Sequence, residues 1–260
     1  MKERADKLLG ARGLAPSRET AQALIMAGRV TSAGRPVRKP GDLLDAAAAL
    51  EVAAVLPFVS RGGLKLAEAL DRFGLDVRGL VGLDIGASTG GFVDCLLQRG
   101  AARVYAVDVD TKQLDWNLTK DPRIVTIEKN ARELGPADLP EAPGIVTMDV
   151  SFISVLKILP ALKAIPGNWA LVCLVKPQFE AGPKDVGQKG VVRDPAVHAG
   201  VLERVLAGAR ALGFGLAGLM RCSTRGQKGN VEFFARWVKG GPDLNAELVP
   251  IWIKEAVSHD

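Results

Sequence analysis

From residue 61 onward, apolar segments of strand length alternate with segments of helical spacing, and this alternation constrains the fold more than any other feature. Five strands are predicted, at 81–85, 103–107, 124–127, 145–148 and 169–175. Three helices are predicted between them, at 90–99, 111–118 and 153–164. This alternation predicts an α/β fold with a doubly wound, mostly parallel sheet. A helix at 196–211 then precedes strands near 214–221 and 231–237, which we expect to add an antiparallel edge strand.

The first 52 residues differ from the rest of the chain in pattern and in charge. Residues 1–40 contain nine Lys and Arg against three acids, whereas the whole chain carries a net charge of +5. The basic surplus therefore belongs to the N-terminus. The helical spacing of Ala5, Leu8 and Leu9 and the N-cap candidate Ser17 predict a small α+β domain. The predicted organisation is this domain at 1–52, a linker at 53–60, the α/β domain at 61–240 and a C-terminal tail at 241–260.

Composition narrows the class of protein. The chain has three cysteines, which are far apart in sequence and form no C-x-x-C pair: Cys95, Cys173 and Cys222. It has only two histidines. This usage argues against a metal site or a disulfide framework and is typical of a reducing cytoplasm. The first residues show no apolar signal segment, and no apolar run is long enough to cross a bilayer. We therefore predict a cytoplasmic protein with no metal and no membrane-spanning segment.

The segment from Val81 to Phe92 reads as an apolar strand that runs through a glycine-rich turn into a helix. Glycine lets the backbone approach a ligand where a Cβ would clash, and ligands of such sheets lie at the carboxyl ends of strands. Asp108 ends the next strand, where a carboxylate can accept hydrogen bonds from a ribose diol. We therefore predict a site for a nucleoside-containing cofactor. Its predicted residues are Asp84, Gly86, Ala87, Ser88, Thr89, Gly90, Gly91, Phe92, Asp108 and Asp149.

Other interpretations of this turn stay open. A dinucleotide would use the same part of the fold, but Ser88 stands where the G-x-G-x-x-G motif has its second glycine. Asp84, just before the turn, favours a methyltransferase because a carboxylate attracts an ammonium or sulfonium. The turn could also serve only to pack a helix on a strand. Since Ala87 and Ser88 have small side chains, we expect binding here to depend on backbone groups.

Four charged residues are candidates for catalysis: Lys65, Asp149, Lys176 and Glu232. Asp149 and Lys176 follow predicted strands, where the chemistry of this architecture lies. An isolated lysine is usually a solvated surface charge. Lys176, however, follows a very apolar strand. Partial desolvation and a neighbouring Lys65 would both favour the neutral amine, which can take a proton from a hydroxyl.

The order of these four residues resembles the K-D-K-E tetrad of FtsJ-like ribose 2′-O-methyltransferases. More closely, the chain resembles the TlyA family, which joins an S-four RNA-binding domain to an FtsJ-like catalytic domain. The resemblance extends from about residue 4 to about residue 238. The matching stretches are Ala5–Leu9, Ser60–Leu66, Asp84–Phe92, Asp149–Ser154, Val175–Glu180 and Gly229–Glu232.

The resemblance implies a Rossmann-like enzyme that transfers a methyl group from S-adenosylmethionine to a ribose 2′-hydroxyl of ribosomal RNA. It implies that Lys176 is the base or steers the hydroxyl, and that Asp149 pairs with it beside the methyl donor. Lys65 and Glu232 would orient and tune Lys176. The family implies cytidine as the target, and the short N-terminus before Arg4 resembles the compact form associated with large-subunit RNA.

The stretch Asp149-Val150-Ser151-Phe152 bears on the atom that is methylated. Enzymes that methylate base amines usually have Asn/Asp-Pro-Pro-aromatic at this place, and the prolines are absent here. The ribose hydroxyl is therefore favoured over an exocyclic amine.

The basic N-terminal domain is predicted to contact RNA phosphates, which supply salt-dependent affinity rather than sequence reading. A solvated basic face is the plainer alternative. The candidate RNA-binding residues are Arg4, Lys7, Arg18, Arg29, Arg35, Arg38 and Arg61.

The long polar loop 180–194 is typical of a substrate-ordered lid and also of a plain mobile loop. Two other functions remain as alternatives. Family members have been labelled haemolysins, but a membrane-lytic role needs an amphipathic or spanning segment that the sequence does not show. The second alternative function is that of a non-catalytic RNA-binding or ribosome assembly factor. The intact tetrad argues against this alternative.

Overall fold

The computed structural model describes residues 2–53, 56–187, 189–226, 228–241 and 246–258. The chain divides into two compact units, Met1–Leu56 and Pro57–Asp260. Parts of the predicted linker at 53–60 and of the predicted tail at 241–260 lie outside the described residues. Among the described helices, none combines the length and the apolar character that crossing a bilayer requires.

The N-terminal unit is a small α+β domain with its own apolar core. Its elements are β1 (Lys2–Arg4), α1 (Ala5–Ala11), α2 (Arg18–Met26), β2 (Val30–Ser32), β3 (Arg35–Pro36), β4 (Leu43–Asp45) and β5 (Leu50–Val52). Strand β1 pairs with β4, and β2 pairs with β3 and β5, all antiparallel. Ser17 is the N-cap of α2, where its hydroxyl accepts a hydrogen bond from Thr20 N at 3.1 Å. The helices bury Leu9 and Ile25 in the core.

A buried carboxylate connects the two helices of this unit. Asp6 is fully buried and accepts hydrogen bonds from Arg4 (3.0 and 2.9 Å), Arg18 (3.0 Å) and Gln22 (3.0 Å). The Arg4 guanidinium holds the pKa of Asp6 well below its usual range. A buried charge is tolerated only when it is paired in this way. The carboxylate therefore stabilises this domain, and the contribution is lost only in strong acid.

The second unit contains a seven-stranded sheet with helices on both faces. Its strands are β6 (Val81–Ile85), β7 (Arg103–Asp108), β8 (Ile124–Glu128), β9 (Ile145–Met148), β10 (Ala170–Val175), β11 (Phe214–Arg221) and β12 (Phe233–Lys239). Its α-helices are α3 (Arg61–Arg72), α4 (Gly91–Gln98), α5 (Leu159–Ala164), α6 (Pro177–Glu180), α7 (Pro195–Ala211) and α8 (Val249–Ser258). Short 3-10 helices occupy Thr111–Gln113, Leu118–Lys120, Ala131–Glu133, Pro136–Asp138, Val155–Lys157 and Ala246–Leu248.

The strand order is β11-β12-β10-β9-β6-β7-β8. Every pair among β8, β7, β6, β9 and β10 is parallel, whereas β12 is antiparallel to both of its neighbours. The prediction of a doubly wound, mostly parallel Rossmann-like sheet is confirmed. The antiparallel strand, however, lies one position inside the edge, and the edge strand β11 runs in the same direction as β10. From β6 the chain adds β7 and β8 on one side of the sheet, and then β9 and β10 on the other side. The place between β6 and β9 where the direction changes is a topological switch point, and ligands of such sheets bind there.

Two predicted helices are shorter or differently wound than the sequence pattern suggested. Residues 111–118 form 3-10 turns because the carboxylates of Asp110 and Asp115 accept hydrogen bonds from nearby backbone N–H groups, at 3.2 and 2.9 Å. Such local bonds compete with α-helical ones. In the predicted helix 153–164, Ser154 caps a 3-10 turn, and the α-helix begins only at Leu159.

The C-terminal residues form a helix where the sequence analysis assigned only a tail. Helix α8 buries Ile253 and Ala256 in the core on the same face of the sheet as α7. Six of the ten residues of α8 are apolar but only these two are buried, so the apolar pattern does not by itself indicate one helix face.

Candidate active site

A cavity of about 710 Å³ opens where β6, β9 and β10 end. This volume lies within the range of small-molecule sites. The four predicted catalytic residues, Lys65, Asp149, Lys176 and Glu232, all line it, and so does Arg61. Six of the predicted cofactor residues also line it: Gly86, Ala87, Ser88, Thr89, Gly91 and Phe92. The fold thus brings together segments from five parts of the second unit.

The predicted catalytic tetrad consists of two ion pairs. Lys65 on α3 pairs with Glu232, just before β12, at 2.5 Å, and the two side chains are 9% and 3% exposed. Lys176 follows β10, Asp149 follows β9, and their Nζ and Oδ1 atoms lie 2.5 Å apart. The second contact is an ion pair without hydrogen-bond alignment. Since β9 and β10 are parallel neighbours, their ends bring these two side chains together.

The resemblance implies that Asp149 pairs with Lys176 and that Lys65 tunes it. Asp149 does lie against Lys176, whereas Lys65 is paired with a different carboxylate. The Lys176 ammonium lies against a carboxylate and donates to Ser151 Oγ at 3.1 Å. Lys65 is instead paired with Glu232, which also accepts a hydrogen bond from Gln178 Nε2 at 3.4 Å. An opposite charge favours the charged form of a lysine. In this arrangement Lys176 can donate to a hydroxyl, and it must first lose a proton to act as a base.

Glycines allow the turn after β6 to approach its neighbours closely. Gly86 has φ +84°, and a Cβ there would lie 2.5 Å from the carbonyl oxygen of Asp149. A Cβ on Gly91 would lie 2.1 Å from Ser60 Oγ. Larger residues at either position would therefore push apart the segments that form the cavity wall.

The backbone of the turn is held mainly by its neighbours in the protein. Gly86 N and Ala87 N both donate to Val107 O, at 2.9 and 3.1 Å. Ser88 N donates to Asp108 Oδ2 at 2.8 Å, and Asp110 N donates to the other oxygen at 3.1 Å. We expected a cofactor to bind through backbone N–H groups of this turn. The N–H groups of Gly86, Ala87 and Ser88 already have acceptors within the protein, so they are less able to donate to a cofactor. Asp108 keeps further lone pairs, since a carboxylate offers about four acceptor positions.

Asp84 is a buried carboxylate with one oxygen still available. Its Oδ1 accepts a hydrogen bond from Thr147 at 2.6 Å, whereas its buried Oδ2 has no hydrogen-bond partner within the described chain. Burial, with a smaller contribution from the charges of Asp149 and Asp108, raises the pKa of Asp84 to about 7. A buried acceptor without a donor calls for an explanation. An ammonium group from a cofactor would supply the missing donor.

Three predicted cofactor residues do not line the cavity. Asp84 is buried next to the turn after β6, and Asp108 is half-buried and holds that turn through Ser88 N. Gly90 packs instead on two leucines of the 3-10 segment, where a Cβ would lie 2.4 Å from Leu118 Cδ1.

The cavity also contains aromatic residues that the sequence analysis did not assign. Phe152 is 91% exposed with φ +64°, and its ring centroid lies 4.9 Å from that of Phe179. A bulky residue with positive φ is a backbone outlier of the kind that clusters at functional sites. The sequence signal for this residue was its place in the stretch that begins at Asp149.

Asn230 connects two loops beside the cavity. Its Nδ2 donates to Gly190 O at 2.9 Å, and its Oδ1 accepts from Val192 N at 3.0 Å. The side chain is 4% exposed, and both Gly190 and Val186 line the cavity. Asn230 therefore fixes the second half of the loop 180–194 against the segment that carries Glu232.

We expect Asn230→Ala to loosen this loop and to lower the free energy of unfolding by about 1–3 kcal/mol, because Val192 N loses its buried partner. Hydrogen exchange at Val192 should accelerate. Asn230→Asp is the matched variant, since it keeps the acceptor for Val192 N but loses the donor to Gly190 O. Unchanged exchange at Val192 in Asn230→Ala would contradict the role of this residue.

The predicted RNA-binding residues of the N-terminal unit fall into two groups. Arg4 and Arg18 both donate to Asp6, so part of each guanidinium serves the structure of this domain. Lys7, Arg35 and Arg38 are exposed. Arg29 is half-buried and has an interaction within the protein.

Sheet order, cavity position and the paired lysines and carboxylates together define a Rossmann-like methyltransferase. The FtsJ-like methyltransferase family matches residues 58–238, and the S4 domain family matches residues 3–48. The chain therefore belongs to the FtsJ-like methyltransferase family and has an S4 domain in front of the catalytic unit.

Two relatives and one solved structure show how far the similarity extends. The chain is 44% identical over 261 residues to the Mycobacterium tuberculosis protein named 16S/23S rRNA (cytidine-2′-O)-methyltransferase TlyA, covering 98% of this chain and 97% of that one. It is 38% identical over 238 residues to hemolysin A of Brachyspira hyodysenteriae, covering 90% and 99%. A Streptococcus thermophilus structure, provisionally named a hemolysin, has a TM-score of 0.75 at 42% identity and covers 98% and 95%.

Proposed function

We propose that this protein transfers a methyl group from S-adenosylmethionine to the 2′-hydroxyl of a ribose in ribosomal RNA. The observation that carries the proposal is the Lys176–Asp149 ion pair, which lies in one cavity with the glycine turn after β6. The relatives' names support cytidine as the nucleotide. We further propose that the large-subunit RNA is the target and that the reaction takes place in the cytoplasm.

The residues around the turn fit S-adenosylmethionine. The unpartnered oxygen of Asp84 would accept from its ammonium, and Asp108 would accept from its ribose hydroxyls. When bound, this cofactor supplies a methyl group that its sulfonium already activates. The protein therefore needs mainly to align the RNA oxygen with that methyl and to remove the hydroxyl proton.

Lys176 is placed to perform both tasks at its Nζ atom. As an ammonium it orients the 2′-oxygen by donating a hydrogen bond to it. As an amine, after losing one proton to solvent, it takes the proton of the hydroxyl. Asp149 then stabilises the ammonium that forms, because their 2.5 Å separation is that of an ion pair. Glu232 and Lys65 hold one another in the wall of the same cavity, where Gln178 connects Glu232 to the segment that carries Lys176.

The RNA would be held by two kinds of contact. Exposed cations of the S4 domain, Lys7, Arg35 and Arg38, would attract phosphates. At the cavity, the exposed ring of Phe152 offers a face on which a nucleobase could stack. The target nucleotide would then be held through both its base and its ribose.

Binding of S-adenosylmethionine is expected to release a proton near neutral pH. The pKa of Asp84 is about 7 because the carboxyl is buried, and only the ionised form pairs with an ammonium. Affinity should therefore fall as the pH is lowered from about 7 to about 5. Calorimetry at pH 6 in buffers of different ionisation enthalpy measures the released proton.

Asp84→Asn is the control for this prediction. It should bind the cofactor more weakly and release no proton. At pH values above 7, this variant should also have a higher free energy of unfolding than the wild type. The reason is that the buried Asp84 carboxyl must ionise there, which destabilises the folded wild-type protein. Equal proton release in the two proteins would contradict the role of Asp84.

The proposed function is tested with S-adenosylmethionine labelled in its methyl group and purified ribosomal RNA of either subunit. We expect label to enter large-subunit RNA. Asp149→Asn should abolish the incorporation, since it removes the charge that holds Lys176. No incorporation into either RNA by the wild-type protein would overturn the proposal.

A further inference from the structure

A second cavity, of about 310 Å³, lies next to the candidate active site. It is formed by the segment before α7, the first turn of α7, the end of β11, the loop between β11 and β12, and one residue of α8. Lys228, in the β11–β12 loop, lines both cavities, so the two cavities are neighbours. Neither the predicted tetrad nor the cofactor turn contributes to the second cavity.

The charge of the second cavity is strongly positive. Four of its lining residues are cationic: Arg193, Arg221, Arg225 and Lys228, of which Arg221 also has an interaction within the protein. In the described part of the chain, no carboxylate lines it. Asp194 is adjacent in sequence, but its side chain caps α7 by accepting from Ala196 N at 2.9 Å. Like charges around one small space repel one another, so an anion bound there would be favoured.

Part of the wall of this cavity is made of a histidine and apolar residues. His198 is 4% exposed, and one ring nitrogen lies 3.1 Å from Val192 O. Burial and the nearby Arg221 lower the pKa of His198. The cations therefore surround an apolar floor made of Val192, Val231 and Val257 as well as this imidazole.

Sheet topology places the second cavity on the same side of the molecule as Lys176. Strands β10 and β11 run in the same direction, because both are antiparallel to β12. Arg221, the last residue of β11, therefore lies at the edge of the sheet where Lys176 follows β10. A ribose in an RNA strand carries a phosphate on each side by its covalent structure. A strand whose ribose reaches Lys176 must therefore extend its phosphates beyond the first cavity.

We propose that the second cavity is a phosphate subsite, which binds a backbone phosphate of the RNA strand next to the methylated ribose. This inference rests on the proposed function. Arginine matches a phosphate with two parallel hydrogen bonds, and the site contains three arginines, from the segment before α7, the end of β11 and the β11–β12 loop. Phosphate contacts position a strand without reading its sequence. The subsite would thus fix which ribose along the strand reaches Lys176.

The test compares two double variants of the full chain. Arg193→Gln/Arg225→Gln removes two charges from the subsite. Lys163→Gln/Lys254→Gln removes two exposed charges that line neither cavity. Affinity for protein-free, transcribed large-subunit RNA is measured over a series of salt concentrations, together with methyl transfer. Thermal midpoints and S-adenosylmethionine affinities, expected to match wild type, show that each variant is folded.

For the subsite variant, the slope of log affinity against log salt should fall by about 0.7–0.9, the value for one lost phosphate contact. Its KM for RNA should rise about tenfold or more, whereas kcat stays within about twofold. The control variant should keep the slope and KM of the wild type. An equal slope in the two variants would overturn the inference.

Three further outcomes distinguish this inference from a protein partner and from the proposed function. A defect seen only with intact ribosomal subunits, and absent with protein-free RNA, would overturn it in favour of an acidic protein partner. If wild type methylates RNA but the subsite variant behaves like the control, the subsite fails and the proposed function stands. If wild type methylates no RNA but the slope still falls in the subsite variant, the proposed function fails and the phosphate site stands.

Discussion

Lys176→Ala is expected to lower the rate of methyl transfer by at least about 10²–10⁴-fold, because it removes both the proton acceptor and the group that orients the hydroxyl. The affinity for S-adenosylmethionine should stay within about twofold, since Lys176 contacts Asp149 and Ser151 rather than the glycine turn. Single-turnover methylation of ribosomal RNA and calorimetry with the cofactor measure the two quantities. A rate near that of wild type would remove Lys176 from the mechanism.

Lys176→Arg is the sharper form of this experiment. Arginine keeps the positive charge and the ion pair with Asp149 but cannot become neutral at working pH. If Lys176 acts as a base, this variant should be about as inactive as Lys176→Ala. Methylation at the wild-type rate would show that Lys176 only positions the RNA.

Removal of residues 1–52 is expected to reduce RNA affinity roughly 10²-fold or more at 0.2 M salt, because the basic surplus of the chain lies in this segment. Cofactor binding should be unaffected, since the cavity is lined entirely by residues of the second unit. Filter binding over a salt series and calorimetry measure the two effects. A truncated protein with the RNA affinity of the full chain would contradict the assignment.

A charge variant refines the truncation experiment without deleting the domain. Lys7→Gln/Arg35→Gln/Arg38→Gln removes exposed cations and leaves the Asp6 network intact. It should reproduce most of the loss in affinity. Arg18→Gln is less informative, because it also disturbs the buried carboxylate and would lower the stability of the domain.

The parts of this structure that follow local sequence rules could be predicted. The strands that end at Ile85 and Val175 are short apolar runs bounded by turn residues, and their ends set the positions of the glycine turn and Lys176. The helix 111–118 was predicted from its apolar spacing. This prediction was wrong because the carboxylates of Asp110 and Asp115 accept hydrogen bonds from nearby backbone N–H groups. The spacing of apolar residues does not show such bonds.

The features that depend on long-range contacts could not be predicted in this way. Lys65 and Glu232 are 167 residues apart, and nothing in either local pattern shows that they form their own ion pair. The contacts of Asn230 with the loop 180–194 likewise arise only in the folded chain. The exposure of Phe152 depends on its positive φ, which is unusual for an aromatic residue.

The central claim is that the methyl group goes to a ribose oxygen of ribosomal RNA. It is tested most directly by mass spectrometry of nucleosides from large-subunit RNA that the purified wild-type protein has methylated. The account predicts a single 2′-O-methylcytidine, absent with Lys176→Ala. Methyl groups found on a base, or equal amounts of 2′-O-methylcytidine with wild type and Lys176→Ala, would contradict it.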